Sequence, residues 1–133
     1  MTLAFPDTNV LLYAFSTDAK RDRARAIVEG GGIISVQSLN EFAHVARRKL
    51  GFGWPEVREA IAALLAYFPN VVSLDVELQR DALRLAERHM LSVYDAQIIA
   101  AALAAGCDRL YSEDMHHGLV IDGGLRIENP FLG

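Results

Sequence analysis

Four carboxylates in this chain stand beside short apolar runs or at the openings of helices. Asp7 ends the run Leu3-Ala4-Phe5-Pro6, and Glu41 lies just past Gly32-Ile33-Ile34-Ser35-Val36. Asp95 opens a long apolar segment, and Asp114 follows Arg109-Leu110-Tyr111-Ser112. In an open parallel α/β sheet the carboxyl ends of the strands line one crevice, so acids far apart in sequence converge there. Several converging carboxylates cannot all stay ionised without a compensating charge. A hard divalent cation such as Mg²⁺ or Mn²⁺ supplies that charge. Bound metal can also activate water and stabilise developing negative charge.

Each acid taken singly also has a helix-capping explanation. Ser38-x-x-Glu41 and Ser92-x-x-Asp95 match capping boxes, and Asp7 and Asp114 both suit an N-cap. Together the capping account weakens. Asp95 opens a helix too apolar to face solvent, so its carboxylate lies near other protein. An unpaired buried charge costs several kcal/mol. The only Lys or Arg close in sequence to any of the four are Arg47, Arg48, Lys49 and Arg109.

The elements that must position these acids alternate along the chain. A first strand covers Leu3–Pro6, and a helix starts near Thr8. A second helix runs from Asp18 to Glu29 and stops at Gly30-Gly31-Gly32 before the strand Ile33–Val36. The next helix, about Ser38 to Leu50, ends in Arg47-Arg48-Lys49, which suits the negative end of a helix dipole. Pro55 fits the first turn of another helix, with Val57, Ile61, Leu64, Leu65 and Phe68 as its apolar stripe. The strand Val71–Leu74 follows, and Asp75 caps a helix running to about Met90. The segment Ser92–Ala105 is a buried helix closed by Gly106, and strands at Arg109–Ser112 and Leu125–Glu128 complete the series. This alternation predicts a mainly parallel α/β sheet of about five strands with helices on both faces.

The 133 residues fit one domain over positions 1–133, and 52% are hydrophobic, enough for a core. The N-terminus lacks the features of a signal peptide. The single Cys107 cannot form an internal disulfide, so a soluble, cytoplasmic protein is expected, with no membrane association. Net charge is −4, but residues 19–50 carry seven Lys/Arg against three Asp/Glu. That local excess is compatible with phosphate contacts at one place, and equally with ordinary solvated helix faces.

The four acidic segments also carry a resemblance. Asp7-Thr8-Asn9 after an apolar strand, Asn40-Glu41 in a helix, Tyr94-Asp95-Ala96 opening an alanine-rich helix and Ser112-Glu113-Asp114 after a late strand are similar to the four acidic motifs of PIN domains. Asn129-Pro130-Phe131 is similar to their terminal segment, and the order is kept over essentially the whole chain. The resemblance, which extends to VapC-type toxins of toxin–antitoxin pairs, implies a PIN-like three-layer fold and an endoribonuclease requiring Mg²⁺ or Mn²⁺. It also implies a homodimer, an RNA substrate and a small antitoxin protein that blocks the acidic site. Under it Asp7, Asp95 and Asp114 are metal ligands, and Glu41 is a further ligand or orients the attacking water. Thr8, Asn9 and Ser112 hold the acids or contact phosphate. Lys20, Arg21, Arg23, Arg25, Arg47, Arg48 and Lys49 are candidates for the RNA backbone. Where some PIN domains have another acid two residues past the last, this chain has His116, which leaves one or two metals open.

Other residues carry less. His44 lies three residues after Glu41, but a lone E-x-x-H pair reads as a helix-surface histidine. His89 and Glu113 are expected at the surface, and His116 and His117 in a solvated loop. Phe52 and Trp54 are expected to pack against adjacent helices or a dimer partner rather than stack on bases. Cys107 is expected as an inert core thiol. A phosphotransfer receiver domain is disfavoured because the only lysines, Lys20 and Lys49, are both in the first half. A haloacid-dehalogenase-like phosphatase is disfavoured because Asn9 replaces the expected second aspartate. A PIN-like binding module without nuclease activity stays open as an alternative.

Overall fold

A computed structural model describes residues 2–132; Met1 and Gly133 lie outside the described residues. The chain forms β1 (Ala4–Pro6), α1 (Thr8–Ala14), α2 (Arg21–Glu29), β2 (Ile33–Ser35), α3 (Val36–Lys49), α4 (Trp54–Tyr67) and β3 (Asn70–Val72). It continues with α5 (Val76–His89), α6 (Val93–Ala104), β4 (Arg109–Tyr111), β5 (Val120–Ile121) and β6 (Leu125–Glu128). β1, β4 and β6 pair in parallel, and β5 adds antiparallel to β6. β2 and β3 form a separate parallel pair. The expected mainly parallel layer is thus present, built as a four-stranded and a two-stranded group. The short strand β5 has no counterpart in the sequence reading.

Gly32 brings the two groups together. It has φ +131°, and a Cβ there would collide with the backbone carbonyl of Ala4. Only glycine lets the start of β2 run this close to β1.

Side chains alternate across the strands, and two cores result. On one side Phe5, Leu110 and Ile127 pack with Leu78, Leu85, Ile98 and Ile99 from α5 and α6. On the other, Val10, Leu11, Phe42, Leu64 and Phe68 join α1, α3 and α4 around Ile34. The layers are helix, sheet, helix, as expected. Among the described residues no helix is long and apolar enough to cross a membrane.

Caps fix where the helices begin. Asp75 Oδ1 accepts the Leu78 N–H (2.8 Å), and Pro55 sits in the first turn of α4, both as the sequence indicates. α3 begins earlier than expected because Ser35 is its cap. The Ser35 hydroxyl accepts the Ser38 N–H (3.2 Å), and Ser38 Oγ accepts the Ser35 N–H (3.1 Å). Glu41 therefore has no capping role, and the capping box expected from Ser38-x-x-Glu41 is corrected to Ser35-x-x-Ser38. No helix follows Asp114, so it caps none. α5 ends on Met90, a 92% exposed residue held at φ 55°. That left-handed conformation strains any side chain with a Cβ. Met90→Gly is expected to stabilise the fold by about 0.5 to 1 kcal/mol, read as a higher denaturation midpoint. An unchanged or lower midpoint would refute the strain.

Candidate active site

Asp7 is placed where β1 gives way to α1. Its N–H donates to the Tyr111 carbonyl (2.8 Å), which locks the end of β1 to the end of β4. Its Oδ1 accepts the Thr8 N–H (2.6 Å) and its Oδ2 accepts the Ser112 hydroxyl (2.9 Å). Asp7 is 7% exposed and Ser112 is fully buried. Burial pushes the Asp7 carboxyl up to about 6; the Ser112 and Thr8 hydrogen bonds oppose this, and the charges of Glu41 and Asp95 add to it.

Glu41 reaches the same place from the second turn of α3. One of its oxygens accepts the Thr8 hydroxyl (3.0 Å), the other the Gln37 amide N–H (2.8 Å). Asp95 stands in the first turn of α6, where the Ser92 hydroxyl accepts its backbone N–H (3.1 Å). Ser92 does the capping, so the Asp95 carboxylate is left for the site. Burial raises its pKa, the Ser92 contact opposes the rise, and the charges of Asp114 and Glu41 reinforce it. Asp114 lies in the loop after β4 and accepts the Asn9 side-chain amide (2.6 Å). Ser112 Oγ accepts the Asp114 and Met115 N–H groups (both 3.3 Å), shaping that loop.

Asp7, Glu41 and Asp114 are therefore joined through Thr8, Asn9 and Ser112, and Asp95 lies near enough to feel the charges of Glu41 and Asp114. None lies within ion-pairing distance of a Lys or Arg among the described residues. As the side chains stand, no three His, Cys, Asp or Glu among the described residues are close enough to enclose a metal ion. Asp7, Glu41 and Asp114 are instead each turned toward neutral donors, as mutually repelling anions do. The donor set is all hard oxygen and carries uncompensated negative charge, which suits a divalent cation.

Gln37 is the residue the sequence reading missed. It is 5% exposed, and its amide nitrogen donates to Glu41 and to the Tyr94 carbonyl (3.2 Å). It thereby ties α3 to the turn that carries Asp95. Its position one helical turn before Glu41 was the available signal. Its carbonyl oxygen is buried without a partner, a cost folded proteins rarely carry without reason. Gln37→Met is expected to lower kcat of whatever reaction these acids carry out by about ten- to a hundredfold, the worth of a hydrogen bond to a charged group. In a Glu41→Gln background the same change should cost nothing further, because the two residues act as one unit. Losses that simply add would sink that assignment.

Other expectations are corrected. Glu113 is not a free surface acid: it accepts the Tyr13 hydroxyl (2.5 Å) and the Lys20 ammonium (2.7 Å). Partial burial pushes its pKa up, but Lys20 and Tyr13 outweigh this and hold it below the ordinary value. Lys20 lies over the rings of Tyr13 and Phe131, so this cluster braces the Asp114 loop against α1 and the terminal segment. His89 is half-buried with an unpartnered Nε2, not a surface residue, because α5 turns that face inward. Trp54 is 56% exposed, with Arg47 of the adjacent α3 lying over one face of its ring. His44, His116 and His117 are exposed, and His117 Nδ1 accepts the Asn129 N–H (3.0 Å). Cys107 is buried, and burial together with Asp108 pushes its thiol up to about 11. It is inert, as expected.

Residues 4–118 match the family model of the PIN domain. No curated protein matches the chain significantly. Among solved structures, VapC20 of Mycobacterium tuberculosis, a sarcin-ricin loop cleaving toxin, aligns at TM-score 0.65 and 22% identity, covering 82% of this chain and 88% of that one. A toxin–antitoxin complex from Klebsiella pneumoniae aligns at TM-score 0.73 and 21% identity, covering 96% and 98%. VapBC2 from Rickettsia felis, bound to a DNA fragment from its promoter, aligns at TM-score 0.67 and 16% identity, with 96% and 98% covered. At these identities the likeness establishes the fold.

Proposed function

The chain belongs to the PIN-domain family, and from that premise we propose that it is a Mg²⁺- or Mn²⁺-dependent endoribonuclease, the toxin of a toxin–antitoxin pair. One observation carries the proposal: four carboxylates from four separate segments gather around the carboxyl ends of β1 and β4, and none has a Lys or Arg partner among the described residues. Such a group serves no folding purpose, since converging anions destabilise the chain that holds them. In this reading Asp7, Asp95 and Asp114 hold the metal, and Glu41 joins them or orients the attacking water. The metal supplies charge neutralisation at the phosphate and lowers the pKa of water. Ser112 and the Thr8 N–H keep the two oxygens of Asp7 fixed, Thr8 and Gln37 do the same for Glu41, and Asn9 fixes Asp114.

The whole chain acts as one cytoplasmic domain in this reading. A small antitoxin partner is suggested by the toxin–antitoxin complexes that share the fold. A homodimer is supported by the exposed Val36, Val93 and Tyr94 near the place where Gln37 joins the starts of α3 and α6.

Purified protein is expected to cleave single-stranded RNA with Mg²⁺ or Mn²⁺, and to stop on chelation. A divalent ion should also raise the melting temperature saturably, since it binds the folded site alone. RNA left intact at every metal concentration would remove the nuclease reading. A melting temperature indifferent to Mn²⁺ would remove the metal.

A further inference from the structure

The seven basic residues of segment 19–50 fall into two groups once the chain is folded. Those on and just before α2 are committed internally. Lys20 pairs with Glu113, Arg23 Nε donates to the Pro130 carbonyl (3.2 Å), Arg25 Nε donates to the Ala14 carbonyl (2.9 Å), and Arg21 lies 3.7 Å from Asp22. Arg47, Arg48 and Lys49 at the end of α3 are exposed, and none has a carboxylate partner among the described residues.

Two features continue from that end. A groove of about 220 Å³ lies between α1 and α3, with Leu12, Val45 and Leu50 in its walls and Asn9, Asp18 and Lys49 among its polar lining. Asn9 is the residue that holds Asp114, so the groove opens beside the acids. Farther on, the Arg47 guanidinium lies 4.2 Å from the centre of the Trp54 ring and donates to the Phe52 carbonyl (3.3 Å). Arg47 covers one face of the indole, yet Trp54 keeps 56% exposure, which leaves its other face and edge open. An open aromatic backed by arginine and flanked by unpaired cations is the composition of a base-stacking platform.

The geometry points to a path for single-stranded RNA that leaves the acids beside Asn9, seats a base in the α1–α3 groove and runs past Lys49 and Arg48 onto Trp54. It rests on the ribonuclease reading above. The distance is short: Glu41 to Lys49 spans about 12 Å of helix. The acids themselves repel phosphates, so a strand entering them needs cations just outside, and Arg48 and Lys49 at the end of α3 have no carboxylate partner among the described residues. An apolar peptide laid on this surface would leave all three cations unmatched.

Trp54 is the only tryptophan in the chain, so its emission reports on this surface alone. The experiment titrates Asp95→Asn protein with a labelled, mixed-sequence single-stranded oligoribonucleotide, following label anisotropy for occupancy and tryptophan emission for stacking. Emission should be quenched in step with occupancy. Trp54→Ala, on the Asp95→Asn background, should weaken binding by about tenfold. Arg48→Ala with Lys49→Ala should reduce the steepness of log K against log salt by about 1.4, whereas Arg21→Ala with Arg23→Ala leaves it unchanged. All these side chains are at least partly exposed, and circular dichroism checks each variant's fold. Full occupancy with unchanged emission and unchanged affinities overturns the path. So does emission that responds to a purified partner protein and not to RNA. Failure of the ribonuclease reading shows separately, as wild-type protein that does not cleave.

Discussion

Asp7→Asn is expected to abolish RNA cleavage and at the same time make the protein harder to unfold at about pH 8. The first effect follows from removing a carboxylate from the site: several kcal/mol of transition-state stabilisation, about a thousandfold in rate or more. The second follows from the cost of keeping that carboxylate buried. The Asp7 carboxyl is raised from 3.8 to about 6 in the folded chain, first by burial, against its Ser112 and Thr8 hydrogen bonds, and further by Glu41 and Asp95. An acid raised on folding binds its proton more tightly when folded. Its favourable contribution is complete below the unfolded value and is lost as pH rises through about 6. The ionised group then costs about 3 kcal/mol at the usual conversion. Asparagine removes the charge but weakens the Ser112 contact, so a net gain of about 2 kcal/mol is expected. In thermal melts of both proteins without divalent ions the variant's advantage should build up between about pH 4 and pH 6, stay constant above that, and be gone near pH 4. Equal or lower stability of the variant at pH 8 would mean that Asp7 is not strained by its neighbours, and the argument for an uncompensated site would lose its energetic support.

Gly32→Ala should unfold the domain outright. The added methyl would overlap the Ala4 carbonyl, which is backbone within β1 and has no rotamer to escape into, and φ +131° excludes side-chain-bearing residues besides. The loss should be about 4 kcal/mol or more, a large part of the total stability of a domain this size. Gly124→Ala is the matched control, since a Cβ there meets nothing within 4 Å. Urea midpoints settle it: Gly32→Ala should lack a folded baseline, and Gly124→Ala should match the wild type. A Gly32→Ala protein with a wild-type midpoint would show that β1 and β2 do not approach each other as described.

The sequence displays the acids because each follows punctuation that local chemistry makes visible. Pro6 and the apolar run before Asp7, Ser92 before Asp95 and the short strand-like run Leu110-Tyr111 before Asp114 all mark element ends. Glu41 shows how such local signals mislead. Ser38-x-x-Glu41 and Ser35-x-x-Ser38 have the same spacing, and only the chain's path out of β2 decides that Ser35 is the cap. β5 is two residues long and owes its existence to pairing with β6, so no periodicity announces it. Glu113 looks like surface next to Asp114 because its partners, Tyr13 and Lys20, are brought to it only by the packing of α1 against the late loop. Gln37 stays hidden for the same reason: its second partner, the Tyr94 carbonyl, belongs to another helix.

The pairing of β1 with β4 has a consequence for the order of events during synthesis. Ser112 and Asp114 reach Asp7 and Asn9 across 105 residues each, and β4 in turn needs β6 on its other edge. Contacts that distant in sequence form late, after the entropy of closing the intervening loop has been met. A ribosome delivers Asp7 and Glu41 long before Asp114 exists, and the first helices can pack around Phe42 and Leu64 in the meantime. The emerging polypeptide therefore carries half of the acidic site through most of its synthesis. The complete set of four carboxylates comes together only once the last strand has been made.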